Sequence, residues 1–152
     1  MPAITCEELS EVWTLKQSLA MEQRRLIDLR SLAEPSTPIL DGMPHVQPLT
    51  FKVERIAGLM IDCQQLIEKL EQEIAQRKFE LLTKLQAVKI NEIQQRVLSY
   101  RYVACLKFNE IAKAMNFTYV YIHILHRKGL KSLGLTNDEM AKLKKLSFVA
   151  SK

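Results

Sequence analysis

Glycine is scarce in this chain, with 4 residues among 152. An architecture of many tight turns and bulges has little to work with. Proline is bunched: Pro35, Pro38, Pro44 and Pro48 share one stretch, and long proline-free segments follow it and precede it. Helix formers fill those segments, so an all-α protein is expected. No apolar run approaches the roughly 18 residues needed to cross a bilayer, which excludes a membrane-spanning helix and a membrane partner. The opening Met-Pro-Ala-Ile-Thr-Cys-Glu-Glu-Leu carries acid where an export signal carries base followed by apolar residues, so a cytoplasmic location is expected. Cys6, Cys63 and Cys105 are odd in number and show no C-x-x-C spacing. That argues for reduced thiols and against a disulfide framework or zinc site. There is no glycine-rich phosphate loop, paired-carboxylate motif or catalytic-triad signature, so neither an enzyme nor a cofactor is expected, and no catalytic residue is assigned.

What is present is unevenly charged. Residues 91–152 hold 11 Lys+Arg against 4 Asp+Glu, a balance of +7, and residues 1–90 hold 11 against 13, a balance of −2. The sum is the whole-chain +5, which conceals a basic C-terminal third. Such clustering is the electrostatic footprint of a nucleic-acid binder when it falls on a helical module, and otherwise a solvated face.

Three regions follow from the periodicity. Residues 1–88 form a long-helix element. Its first helix is predicted over Thr5 to Ala33, opened by a Thr5-x-x-Glu8 capping box. Val12, Leu15, Leu19, Leu26 and Leu29 form its stripe, interrupted by Glu22. A proline-rich linker spans Glu34 to Thr50, with Asp41-Gly42 as a turn signal. A second helix is predicted from about Phe51 to Val88. Val53, Ile56, Met60, Cys63, Ile67, Leu70, Ile74 and Leu81 give it a heptad-like seam, with Arg77 and Lys84 as polar breaks. Neither stripe can be buried alone. The two helices either pair as an antiparallel hairpin or share a bundle between subunits, and a homodimer is the expected assembly.

Residues 89–135 read as three short amphipathic helices. Asn91 is a candidate N-cap, followed by Ile93, Val97, Leu98, Arg101 and Tyr102, and this first helix is expected to end at Leu106. Glu110, Ile111, Ala112 and Met115 make a second helix, which Asn116 can end in the left-handed conformation. Thr118 caps a third, with Ile122, Leu125, Gly129 and Leu133 on the inward face. Val120, Ile124, Arg127 and Lys131 then face outward, flanked by Tyr121, His123 and Lys128. Residues 136–152 form a basic C-terminal helix. Thr136 and Glu139 box its start, Met140, Leu143 and Leu146 are apolar, and Lys142, Lys144 and Lys145 give it a basic side.

The order V-L-x-x-R-Y, then E-I-A-x-x-M-N-F-T, then Y-I-x-x-L-H-R-K-x-L resembles the helix-turn-helix of sigma-factor region 4. With Ser36-Thr37-Pro38-Ile39-Leu40-Asp41-Gly42-Met43-Pro44 and the helix opening Lys52-Val53-Glu54-Arg55-Ile56, residues 6 to 133 resemble small phage and prophage proteins of Gram-positive bacteria. These are grouped near the late-gene regulators RinA and ArpU. The resemblance implies a DNA-binding transcription regulator acting with host RNA polymerase on double-stranded DNA. Residues expected at the DNA are Thr118, Tyr119, Val120, Tyr121, His123, Ile124, Arg127, Lys128 and Lys131. Similar proteins usually have basic residues where this chain has Tyr119, Val120 and Ile124, Gly at Cys105, and a Ser or Thr cap at Lys107. The outer face of the third helix is thus unusually apolar, suited to thymine methyl groups or to a protein surface. Two other readings stand beside the regulator: a DNA-recognition subunit for genome packaging, like small terminase subunits, and a protein-interaction module with a repurposed helix-turn-helix.

Other chemistry is weaker. His123 and His126 are spaced i, i+3 but lack a third ligand nearby, so no metal site is assigned. His126 is expected half-buried against the core, and His123 groove-facing or solvated. Cys105 is expected as a small packing residue and Arg101 as an ion-pair partner of Glu110.

Overall fold

The computed structural model describes residues 4–34 and 49–150, with side chains over 4–34 and 52–145. The linker motif from Ser36 to Pro44 lies outside the described residues. The fold is all-α: α1 (Cys6–Ala33), α2 (Leu49–Ala87), α3 (Glu92–Leu98), α4 (Phe108–Met115), α5 (Tyr119–Ser132) and α6 (Asn137–Ala150). A π-helical turn, Ser99–Val103, extends α3. No strand occurs among the described residues. None of the described helices is long and apolar enough to cross a membrane.

Helix starts follow side-chain capping. The Thr5 backbone N–H donates to Glu8 Oε2 at 3.1 Å and the Glu8 N–H to Thr5 Oγ1 at 3.2 Å. Asn91 Oδ1 accepts from the Ile93 N–H at 3.2 Å. The Thr136–Glu139 pair repeats the reciprocal box at α6, at 2.8 and 3.3 Å. At α4 the N-cap is Lys107, which has no acceptor oxygen. Only the Glu110 half of the box forms, with Oε2 taking the Lys107 N–H at 2.8 Å.

Three helix ends share one device, a residue in the left-handed conformation. Asn116 adopts φ 57°, and Phe117 N–H reaches back to Ala112 O while Asn116 N–H reaches Lys113 O. Gly134, at φ +84°, does the same after α5. Leu135 N–H bonds Leu130 O at 3.3 Å and Gly134 N–H bonds Lys131 O at 3.0 Å, which is a Schellman arrangement. Its accompanying apolar pair is Leu130 with Leu135, both buried. Leu133, expected in the core, is instead half-buried, because the chain reverses at Gly134 before it can continue the stripe. The third end is Cys105, at φ 57°. A non-glycine side chain there costs about 1 kcal/mol. The first short helix therefore stops at Val103, not Leu106.

The chain divides into two compact units, one spanning Ser18–Gln72 and the other formed by the rest. The division falls inside the long helices and not near residue 88. The reason is chemical: the first turns of α1 and the last turns of α2 are tied to the short helices. Trp13 Nε1 donates to Arg101 O at 3.1 Å, Cys6 Sγ to Glu139 O at 3.5 Å, and Gln95 Nε2 to Leu85 O at 2.6 Å. The polar breaks expected on α2 meet acids of α1 in this unit. Lys84 pairs with Glu8, and Arg77 Nε lies 3.2 Å from Glu11. The Lys84 bond and the Thr5 N–H bond outweigh burial and hold the Glu8 carboxyl below its ordinary value.

The core of this larger unit joins Val97, Ile111, Ala112, Ile122 and Leu125, with Phe108 and Met115 packed against them. Leu9, Leu85, Leu98 and Leu130 are also essentially inaccessible. Gly129 lets α5 approach α3: a Cβ there would sit 3.1 Å from Leu98 Cδ1. In the unit Ser18–Gln72, Leu29, Cys63 and Ile67 form the buried cluster, with Leu19, Leu26 and Met60 around it. The Glu22 interruption of the α1 stripe takes up the Cys63 thiol, which donates to Glu22 O at 3.2 Å.

Candidate nucleic-acid interface and its adjoining cavity

α5 is held on one side and open on the other. Thr118 Oγ1 accepts from Tyr121 N–H at 3.3 Å and fixes the first turn. Ile122, Leu125, Gly129 and Leu130 are buried. Tyr119, Val120, Tyr121 and Ile124 are exposed by 50%, 66%, 40% and 44%, which leaves an open apolar patch on this short helix. Arg127, Lys128 and Lys131 continue that open side toward the C-terminal end, and Thr118 is exposed at the start. The expected contact set thus shares one face, with one exception.

The exception is His123. Its ring packs 4.1 Å from the Phe108 ring and 4.4 Å from Tyr119, and its Nε2 is buried with no hydrogen-bond partner among the described residues. Its ring is half-buried rather than fully open to solvent, because Phe108 at the start of α4 offers it an aromatic surface. Burial and the neighbouring Arg101 lower its pKa. His126 is part-buried, as expected. Its Nε2 shares a 2.7 Å hydrogen bond with the Tyr102 hydroxyl, and burial drives its pKa down to about 3. The same burial lifts the Tyr102 phenol above its ordinary range, so the neutral pair is the stable form.

Arg101 corrects a second expectation. It does not pair with Glu110, whose carboxylate is engaged by the Lys107 backbone. Arg101 is buried, with 4% of the residue exposed. Its guanidinium carbon stands 4.8 Å from the Trp13 ring centroid and 4.2 Å from that of Phe108. One hydrogen bond, from Nη1 to Leu106 O at 2.8 Å, holds its direction. Two cation–π contacts and one carbonyl offset part of the cost of burying the charge. Cys105, expected as a packing residue, is half-buried beside it, and burial raises its thiol pKa.

Behind the open face of α5 lies a cavity of about 350 Å³. Arg101, Phe108 and the two histidines form part of its wall, and α6 closes another side with Asn137, Met140 and Lys144. Arg127 and Lys131 reach it from α5. Among the described residues, no acidic side chain lines it. Sequence periodicity gave no signal for this cavity. It depends on where α6 lies, and the only hint was a buried-looking arginine at a core position of a helix.

No protein family, no curated protein and no solved structure matches this chain.

Proposed function

We propose that the chain is a DNA-binding transcription regulator of phage type, acting in the bacterial cytoplasm with host RNA polymerase. The observation that carries this reading is the open face of α5. A helix seated by its buried side on α3 and α4, entered through a left-handed Asn116 and a Thr118 cap, presents a continuous outward surface ending in Arg127, Lys128 and Lys131. Helix-turn-helix proteins place such a helix in the major groove of duplex DNA. The +7 balance of residues 91–152 favours approach to phosphate.

Base reading then falls to apolar contact. No Arg or Lys occurs between Thr118 and Ile124, so a bidentate guanine contact is missing from the leading half of the helix. Val120 and Ile124 suit thymine methyl groups, and Tyr119 and Tyr121 suit phosphate or methyl contact. The preferred site is centred on A·T pairs. His123 supports Tyr119 in this scheme and does not touch a base. The protein works as a homodimer. Met21, Ile27, Leu32, Ile61 and Leu66 of the unit Ser18–Gln72 are exposed, and a second copy would cover them.

The test is fluorescence anisotropy on duplex DNA across a range of salt. Lys128→Ala is expected to weaken binding to all sequences and to lower the salt slope by about one, as is Arg127→Ala. Unchanged affinity and slope in both variants would remove α5 from the DNA. A second reading is favoured by the exposure of Val120 and its neighbours: the same face docks on a protein. Selection from a random DNA pool separates the two, because a protein-docking face enriches no sequence.

A further inference from the structure

Arg101 is a buried cation for which the described residues supply no anion. A charge withdrawn from water without a counter-ion is costly, and rings plus one carbonyl satisfy it only in part. A guanidinium carries five N–H donors, and the contacts seen here use one of them. The group borders the cavity of about 350 Å³, within the size range of small-ligand sites. His123 Nε2, buried and unpartnered among the described residues, belongs to a second residue of the same wall. Its partner Phe108, with Leu130 and Met140, gives the cavity an apolar side. The lining also holds the basic side chains of Arg127, Lys131 and Lys144.

We infer that this cavity is a binding site for a small organic anion, in which Arg101 holds a carboxylate or phosphate and Phe108, Leu130 and Met140 take an aromatic or aliphatic body. Duplex DNA is a poor fit for the role, since a backbone phosphate on a helix surface does not reach an arginine that is only 4% exposed. His123 lends a hydrogen bond without charge, because burial keeps its imidazole neutral near pH 7. The inference rests on the cavity and its lining, not on the DNA reading, and either can fail while the other holds.

The experiment uses the full chain and four probes: phenyl phosphate, benzoate, inorganic phosphate and benzyl alcohol. Binding is followed by NMR of the histidine and methionine side chains. Phenyl phosphate or benzoate is expected to saturate shifts of His123 and Met140, at least about tenfold more tightly than inorganic phosphate or benzyl alcohol. Inorganic phosphate binding as tightly as both organic anions would overturn the organic body. Benzyl alcohol binding as tightly would overturn the role of Arg101. Absence of saturable shifts with both organic anions up to about 10 mM would overturn the site. Arg101→Met should lose about tenfold or more in affinity. Should that variant fail to fold, Ala141→Trp carries the test. Ala141 lines the cavity from an exposed position on α6, so a large side chain there takes up the space the probe needs while residue 101 stays arginine. Undiminished binding in Ala141→Trp would put the ligand elsewhere and refute the proposal.

Discussion

The two compact units bury their apolar residues to different depths. In the larger unit, Leu9, Val12, Leu85, Val97, Leu98, Ile111 and Ile122 are wholly inaccessible. In the unit Ser18–Gln72, the most buried side chains keep a trace of exposure, such as Cys63 at 3% and Ile56 at 7%, while Met21 and Ile27 remain 72% and 60% exposed. The sequences of the two are similarly apolar. The difference is one of geometry. Two helices laid side by side cover one stripe each, whereas short helices meeting at several angles surround a side chain completely. Even a cation, Arg101, can be enclosed in the larger unit.

Deleting side-chain volume should expose this contrast most strongly. Leu98→Ala removes a fully enclosed side chain that also touches Gly129, and should cost about 3–4 kcal/mol. Ile67→Ala, at a site open on one side, should cost about 2 kcal/mol because the gap admits solvent and neighbours. Urea denaturation of both variants measures the difference. Equal losses would mean that the two units are packed alike.

Acid should weaken the larger unit next. His126 has a folded pKa of about 3, below the ordinary 6.5, so the unfolded chain binds the extra proton. Its contribution is intact above pH 6.5, is lost as pH falls, and levels off near pH 3. The expected slope approaches 1.4 kcal/mol per pH unit, or about 2 kcal/mol between pH 6.5 and 5. Glu8, held below its ordinary 4.5, acts in the same direction but at lower pH. His126→Gln should flatten the stability curve between pH 6.5 and 5. An unchanged curve would show that His126 protonates without loss of the Tyr102 contact.

The exposed apolar residues of Ser18–Gln72 give the third effect. Ile61→Lys should weaken self-association by about tenfold, roughly 1.4 kcal/mol, while far-UV circular dichroism stays the same. Sedimentation of the wild-type chain as a monomer at high concentration would leave that face solvated. The smallest effect belongs to the strained helix end. Cys105→Gly should stabilise the larger unit by up to about 1 kcal/mol, since glycine occupies φ 57° without the strain a cysteine side chain meets there. A lower melting temperature in that variant would mean that the half-buried Cys105 side chain contributes more by packing than its backbone costs.

Much of this was legible in the residues. The all-α class followed from the distribution of proline and glycine. The caps at Thr5, Asn91, Thr118 and Thr136 were readable because capping is local: the acceptor and the donor lie within three residues of each other. Asn116 was readable for the same reason. The inward set Ile122, Leu125 and Gly129 followed from a period of 3.6. Less legible were Leu9, Leu130 and Leu135, whose burial depends on a partner many residues away or on a chain reversal at Gly134. The open face of α5 was anticipated residue by residue except at His123, which Phe108 turns inward.

Sequence alone determined the helices, their caps and the basic C-terminal third, because these rest on interactions between neighbours along the chain. Only the tertiary structure decided that Arg101 loses Glu110 to a cap and lies between Trp13 and Phe108, residues 88 and 7 positions away. It likewise decided that α5 and α6 enclose a cationic cavity. Both outcomes depend on which distant surfaces meet, and periodicity carries no information about the angle at which one helix meets another.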